Sequence, residues 1–173
     1  MKTLIQKILI YLYSLKKPHF NFVNPKNILK NSKNVLVLLP EQNELKDEIN
    51  FVVEVLQQIF KQITFVAEAS LIQLLKPEIL DHFISYSKKE KNLFDLPKKE
   101  FIKSLQSKNF DLIIDLNLDD SNFHYWITKS LDAEFKLGLY RKNSTLFNNL
   151  VMRVKNIDKV KTVYENFLFL LKL

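Results

Sequence analysis

The stretch FDLIIDLN, residues 110–117, decides the fold. Its first seven residues are short and nearly continuous in apolar side chains, as a strand must be when helices cover both its faces. Upstream, VLVLL at 35–39 has the same character and is closed by Pro40. Between them, Leu45, Ile49, Val52, Val53, Leu56, Ile59 and Phe60 recur at three- and four-residue spacing, which predicts a helix over about 44–61. ITFVA at 63–67 predicts a second strand, 70–75 a short helix ended by Pro77, and 83–86 a third strand. Residues 87–92 read as a polar loop, and Pro97 stands at the opening of a helix over 98–107, a first-turn position that tolerates proline. Downstream come a helix over 122–131, a fifth strand at 135–140 and a terminal helix over 160–173. Residues 142–157 fit neither period.

Alternating strands and helices require parallel pairing with helical crossovers on both faces. The expected fold is therefore α/β: a Rossmann-like three-layer αβα sandwich on a mostly parallel five-stranded sheet, preceded by an N-terminal amphipathic helix. Two regions follow, a basic arm and linker over 1–33 and the Rossmann-like domain over 34–173. At 173 residues the chain can bury a self-sufficient core, and 47% hydrophobic with 26% charged residues excludes disorder. Zero cysteines exclude thiol nucleophiles, zinc–thiolate sites and iron–sulfur clusters. The chain has one glycine where average usage predicts about 12. A glycine-rich loop lets backbone approach phosphate closely, so neither a GxGxxG nor a P-loop exists here.

The net charge of +7 is unevenly placed. Residues 1–34 hold seven lysines and no acid, which leaves 19 basic and 19 acidic residues in the remainder. The 1–17 stretch, MKTLIQKILIYLYSLKK, gathers Leu4, Ile5, Ile8, Leu9, Tyr11, Leu12 and Leu15 on one helical face. Its longest apolar run, 8–13, is too short to span a bilayer, and no small-residue cleavage site follows. Two readings stay open. The helix lies on an anionic membrane surface, making a cytoplasmic protein peripheral to the inner face of the membrane, or it packs on the body, a protein partner or a second copy. Only Arg141 and Arg153 are arginine, and guanidinium does most bidentate base and phosphate recognition, so specific nucleic-acid binding is disfavoured.

LVLLP at 36–40 followed by a helix, and FDLIIDLN at 110–117 followed by a helix and LDAEFKLGLYRK at 131–142, resemble the N-terminal domain of the heptosyltransferase-like glycosyltransferases. That family, which includes the ADP-heptose:lipopolysaccharide heptosyltransferases, has the GT-B fold. The resemblance covers about 34–142 and implies one half of a two-domain enzyme, without the nucleotide-sugar-binding half. Family members carry a glycine- and aspartate-containing loop after strand 1, with the aspartate as base. Here that loop reads Pro40-Glu41-Gln42-Asn43-Glu44, with neither residue, so no catalytic residue carries over. The resemblance implies a binding or assembly module that is not catalytic alone, or else the acceptor-binding half of a split glycosyltransferase acting on a cell-envelope acceptor.

Open parallel sheets bind ligands beyond the carboxyl ends of strands where strand order reverses. With the order 3-2-1-4-5 that crevice lies between strands 1 and 4, rimmed by Glu41, Gln42, Asn117, Asp119 and Asp120. Asp119, Asp120 and Ser121 serve equally as ordinary helix caps. Asp115, inside a buried run, needs hydrogen-bond partners. His124, beside Tyr125 and Trp126, belongs either to an aromatic patch near the crevice or to the core. Tyr140, Arg141 and Lys142 follow strand 5 and read as a solvated edge able to meet an anion, and Gly138 as a point of close backbone approach. His19, His82 and His124 form no metal-spaced pair, and neither a metal nor a cofactor is expected.

Overall fold

The computed structural model describes residues 31–42, 45–153 and 160–172. In chain order these form β1 (Asn34–Leu38), α1 (Lys46–Ile59), β2 (Gln62–Glu68), α2 (Ala69–Ile72), β3 (Phe83–Tyr86), α3 (Lys99–Gln106), β4 (Leu112–Asp115), α4 (Asn122–Ser130), β5 (Phe135–Leu139), α5 (Ser144–Phe147), β6 (Leu150–Met152) and α6 (Val160–Lys172). One parallel sheet runs β3-β2-β1-β4-β5-β6. The α/β Rossmann-like sandwich expected from the sequence is therefore present. The arm expected over 1–17, and its linker, lie outside the described residues.

Period-2 alternation divides the core between two layers. Val35 and Val37 of β1 and Leu39 just after it, with Leu112, Ile114 and Leu116 around β4, pack under α1 and α6. Leu36, Leu38 and Ile113 turn the other way, under Phe101, Ile102 and Leu105 of α3 and Phe123 and Ile127 of α4. Asp111 staples the entry of β1 to that of β4: its carboxylate accepts from the backbone N–H of Lys33 at 2.9 Å and of Asn34 at 3.0 Å.

Two expectations need correction. Among the described residues the sheet has six strands, not five: the segment that fitted neither period contains the one-turn helix α5 and the three-residue strand β6, both too short to show a period. Pro97 does not open α3. It precedes the cap residue Lys98, in an isolated antiparallel bridge with Lys91.

Gly138 serves close approach, as its place in β5 suggested. A Cβ there would lie 2.5 Å from Asn148 Nδ2, and Asn148 is fully buried with that nitrogen donating to the Ser144 carbonyl. The side chain that orders the α5–β6 turn thus rests on bare backbone. Elsewhere His82, Asp95 and Asn109 adopt left-handed backbone, with φ of 71°, 58° and 49°. In a chain so poor in glycine those positions fall to the residue types that tolerate them best. Among the described residues no helix is long and apolar enough to cross a membrane.

Candidate functional site

Strand order reverses between β1 and β4, and the carboxyl ends of β1, β3, β4 and β5 deliver one hydrogen-bonded chain of side chains there. At its solvent end the Lys91 ammonium donates to Glu41 Oε1 at 2.7 Å. The same oxygen accepts from the Tyr86 hydroxyl at 3.0 Å. Tyr86 Oη lies 3.1 Å from His124 Nε2, and His124 Nδ1 lies 2.5 Å from Asn117 Nδ2. Asn117 Nδ2 also donates to Asp115 Oδ1 at 2.7 Å, and the other Asp115 oxygen accepts from Arg141 Nη2. Arg141 Nη1 donates to the Asp119 carbonyl at 2.8 Å.

The donors fix the direction of this chain. Tyr86 spends its proton on Glu41, so its oxygen accepts from His124 Nε2–H. Asn117 Nδ2 can only donate, so His124 Nδ1 accepts. His124 is thus the neutral Nε2–H tautomer, fully buried, with both ring nitrogens used. Local sequence puts it there: Ser121 caps α4 by accepting from the His124 backbone N–H at 3.4 Å, which turns Phe123, His124 and Ile127 inward.

Burial pushes the His124 pKa below its ordinary value, against the opposing pull of Asp115 and Glu41. For Glu41, burial works upward, but Lys91, the Tyr86 hydroxyl and, when it is protonated, His124 outweigh it and hold the carboxyl below its usual range. Burial and the Glu41 charge raise Tyr86 well beyond an ordinary phenol, so it stays protonated and donating. Burial alone would lower Arg141, but Asp115 reverses the sign and keeps the guanidinium charged.

A pH dependence follows. A base depressed in the folded state contributes stability that is whole above its unfolded pKa, about 6.5 for imidazole, and is lost as pH falls through the folded value. Glu41 acts in the same direction at lower pH. Urea midpoints should therefore fall below pH 6.5, and His124→Gln should flatten the pH 7.5-to-5.5 portion of that curve. Equal slopes in both proteins would show that His124 does not titrate with unfolding.

Of the sequence-derived site residues, Glu41, Asn117, His124 and Arg141 lie in the chain itself. Gln42 and Asp119 join at its rim, where Gln42 Nε2 donates to Asp119 Oδ2 at 2.6 Å. Asp120 accepts from the Tyr125 hydroxyl and from Asn143 Nδ2, so it ties α4 to the turn after β5. Tyr140 stands apart: it is half exposed, with the Arg153 guanidinium 4.0 Å from its ring centroid. Arg141 corrects the expectation of a solvated edge. Only 3% of its side chain is exposed, because the charge of Asp115 draws it inward. Sequence reasoning missed Tyr86 and Lys91, which arrive from β3 and its following loop. Tyr86 ends an apolar strand with a hydroxyl that burial obliges to find a partner, and that was the available signal.

The electrostatics of the rim are acidic. The β1–α1 turn carries Glu41, and α1 holds Asp47 and Glu48 in its first turn. Beside it, a hollow of about 310 Å³ between α1 and α6 is lined by Asp47, Glu48, Phe51, Lys161, Tyr164 and Glu165. Asp47 and Glu48 thus place negative charge at the helix N-terminus that in dinucleotide folds faces a pyrophosphate.

Residues 7–173 match the model of a family of unknown function, DUF6913. No curated protein matches the chain.

Proposed function

Because the chain belongs to the DUF6913 family, whose function is unknown, we propose its role from the site: a glycosyltransferase-like binding module, not catalytic alone, whose carboxyl-edge crevice takes a hydroxyl-rich, sugar-type ligand. One observation carries this reading. Where phosphate would sit, the chain has Glu41, Asp47 and Glu48, while the rim offers the carboxylates of Glu41 and Asp119 and the amide of Gln42 to hydroxyl groups. Glu41 is engaged by Lys91 and Tyr86 and holds its charge below the usual carboxylate range. A carboxylate so stabilised accepts hydrogen bonds well and abstracts protons poorly. The lysine-rich arm would hold such a module at an anionic membrane or a partner.

A second reading has its own support. Glu41 directly follows Pro40 after β1, close to where the resemblance puts the family's loop aspartate, and Tyr86 and His124 back it in a proton-passing chain. In this reading the chain is the acceptor-binding half of a split glycosyltransferase.

Titration of the full chain with a neutral monosaccharide, followed by amide ¹H–¹⁵N shifts, separates these possibilities. The binding reading expects shifts at Glu41, Gln42 and Asn117, loss of affinity by about tenfold or more in Glu41→Gln, as for a charge-assisted hydrogen bond, and none with inorganic phosphate or ADP. Phosphate or ADP shifts at the α1 N-terminus, or silence with every sugar tried, would refute it. Sugar transfer on addition of a donor-side chain, abolished in Glu41→Gln, would replace it with the second reading.

A further inference from the structure

We propose that the Lys91 ammonium occupies a cation cage formed by the Glu41 carboxylate and the stacked rings of Tyr86 and Phe123, and that the loop 87–98 is a lid that yields this cage to an alkylammonium group on a ligand. The inference rests on reading the carboxyl edge as a ligand site, and it adds a ligand class that the hydroxyl-binding rim does not select.

The cage is read from its present occupant. Lys91 Nζ sits 2.7 Å from Glu41 Oε1, 5.1 Å from the Tyr86 ring centroid and 5.2 Å from that of Phe123. The two rings are stacked at 4.2 Å, so their faces and edges form one fixed wall, and both are buried in the second core layer. A carboxylate opposite aromatic faces is how proteins hold ammonium groups: Coulomb attraction on one side, ring quadrupoles on the others, and partial desolvation that strengthens both. Only 18% of the Lys91 side chain is exposed. An ordinary surface ion pair, worth at most about 1 kcal/mol, does not call for this enclosure.

The segment bearing Lys91 is held together by its own hydrogen bonds. Ser87 and Glu90 close a reciprocal capping box over the 3₁₀ turn Lys88–Glu90. The Asn92 N–H donates to the Leu96 carbonyl at 2.8 Å, and the Lys98 N–H donates to the Glu90 carbonyl at 2.8 Å. Asn92 Oδ1 accepts from the N–H groups of Phe94 and Leu96, while Leu93 at the tip is 87% exposed. These bonds lie inside the loop and survive if it swings. The Lys91–Glu41 contact spans 50 positions and latches the loop to the β1–α1 turn. Replacing one ammonium by another conserves charge, donors and ring contacts, so the exchange costs mainly the displacement of the loop.

The test uses the full chain, aromatic ¹H–¹³C spectra of Tyr86 and Phe123, and n-butylammonium chloride as probe, with sodium chloride and 1-butanol as charge and shape controls. Lys91→Ala should bind butylammonium at least tenfold more tightly than the native chain, and Glu41→Gln in that background should remove the gain. In the native chain saturating butylammonium should abolish the NOEs from the Lys91 side chain to the Tyr86 and Phe123 rings, while amide exchange at Leu96 and Lys98, bonded within the loop, stays as in the free chain. Equal affinity with and without Lys91, or butanol binding as well as butylammonium, would overturn the cage. Lys91-to-ring NOEs that persist at saturation would overturn the lid. Monosaccharide titrations of the same samples keep the two readings apart: butylammonium binding with no sugar response refutes the hydroxyl site alone, and the converse refutes the cage alone.

Discussion

Arg141→Met should lower the unfolding free energy by about 3–5 kcal/mol, the cost of breaking a buried pair from one side. Asp115 is fully buried and the Arg141 side chain nearly so. The guanidinium also packs over the Tyr125 ring at 4.8 Å and holds the Asp119 carbonyl, so it joins β4, β5 and the loop before α4. With methionine the apolar stem is retained and the charge lost, which leaves the Asp115 carboxylate in the core with only Asn117 donors. The double change Asp115→Leu with Arg141→Met removes both charges and should recover most of the loss, since a buried pair often contributes little against well-packed apolar replacements. Urea unfolding of the two variants at pH 7.5 provides the measurement. A single variant within about 1 kcal/mol of the native chain would show that water reaches Asp115.

Phe123→Ala should cost a similar amount, about 3–5 kcal/mol, through lost burial and the cavity left behind. The ring is 1% exposed, stacks on Tyr86 and meets Phe101 at 5.6 Å. Its neighbours are strand and helix side chains held from several directions, so collapse into the hole is restricted. Leu93→Ala, on the exposed loop tip, is the matched control and should stay within about 0.5 kcal/mol. Thermal or urea unfolding separates the pair, and comparable losses at both positions would contradict the packing described for α4.

How far the sequence carries can be judged residue by residue. FDLIIDL and VLVLL read as central strands because burial on both faces writes a nearly continuous apolar run, and they are neighbours in the sheet. β6 was illegible: three residues after a one-turn helix hold no period, and its place depends on Asn148 seated against Gly138. Glu41, Asn117 and His124 were legible because chain order and the switch-point rule place them, whichever partners they take. Arg141 was misread because arginine after a strand is ordinarily solvated, and only the three-dimensional position of Asp115 reverses that. Tyr86 and Lys91 lie 45 and 50 positions from Glu41, and no local pattern announces such a contact.

The place of β1 in mid-sheet has a consequence for synthesis. As the chain leaves the ribosome, β1 can pair with β2 early, through Asn34↔Gln62 onward, but its other side waits for Leu112–Asp115. During that interval an apolar strand offers a bare edge to whatever is nearby, including the same segment on the next nascent chain of a polysome. Glu41 and Tyr86 emerge in the first half, Asp115, His124 and Arg141 in the second, so the polar chain is assembled only as that edge is sealed. Whatever shields that edge has to act before residues 112–115 are made.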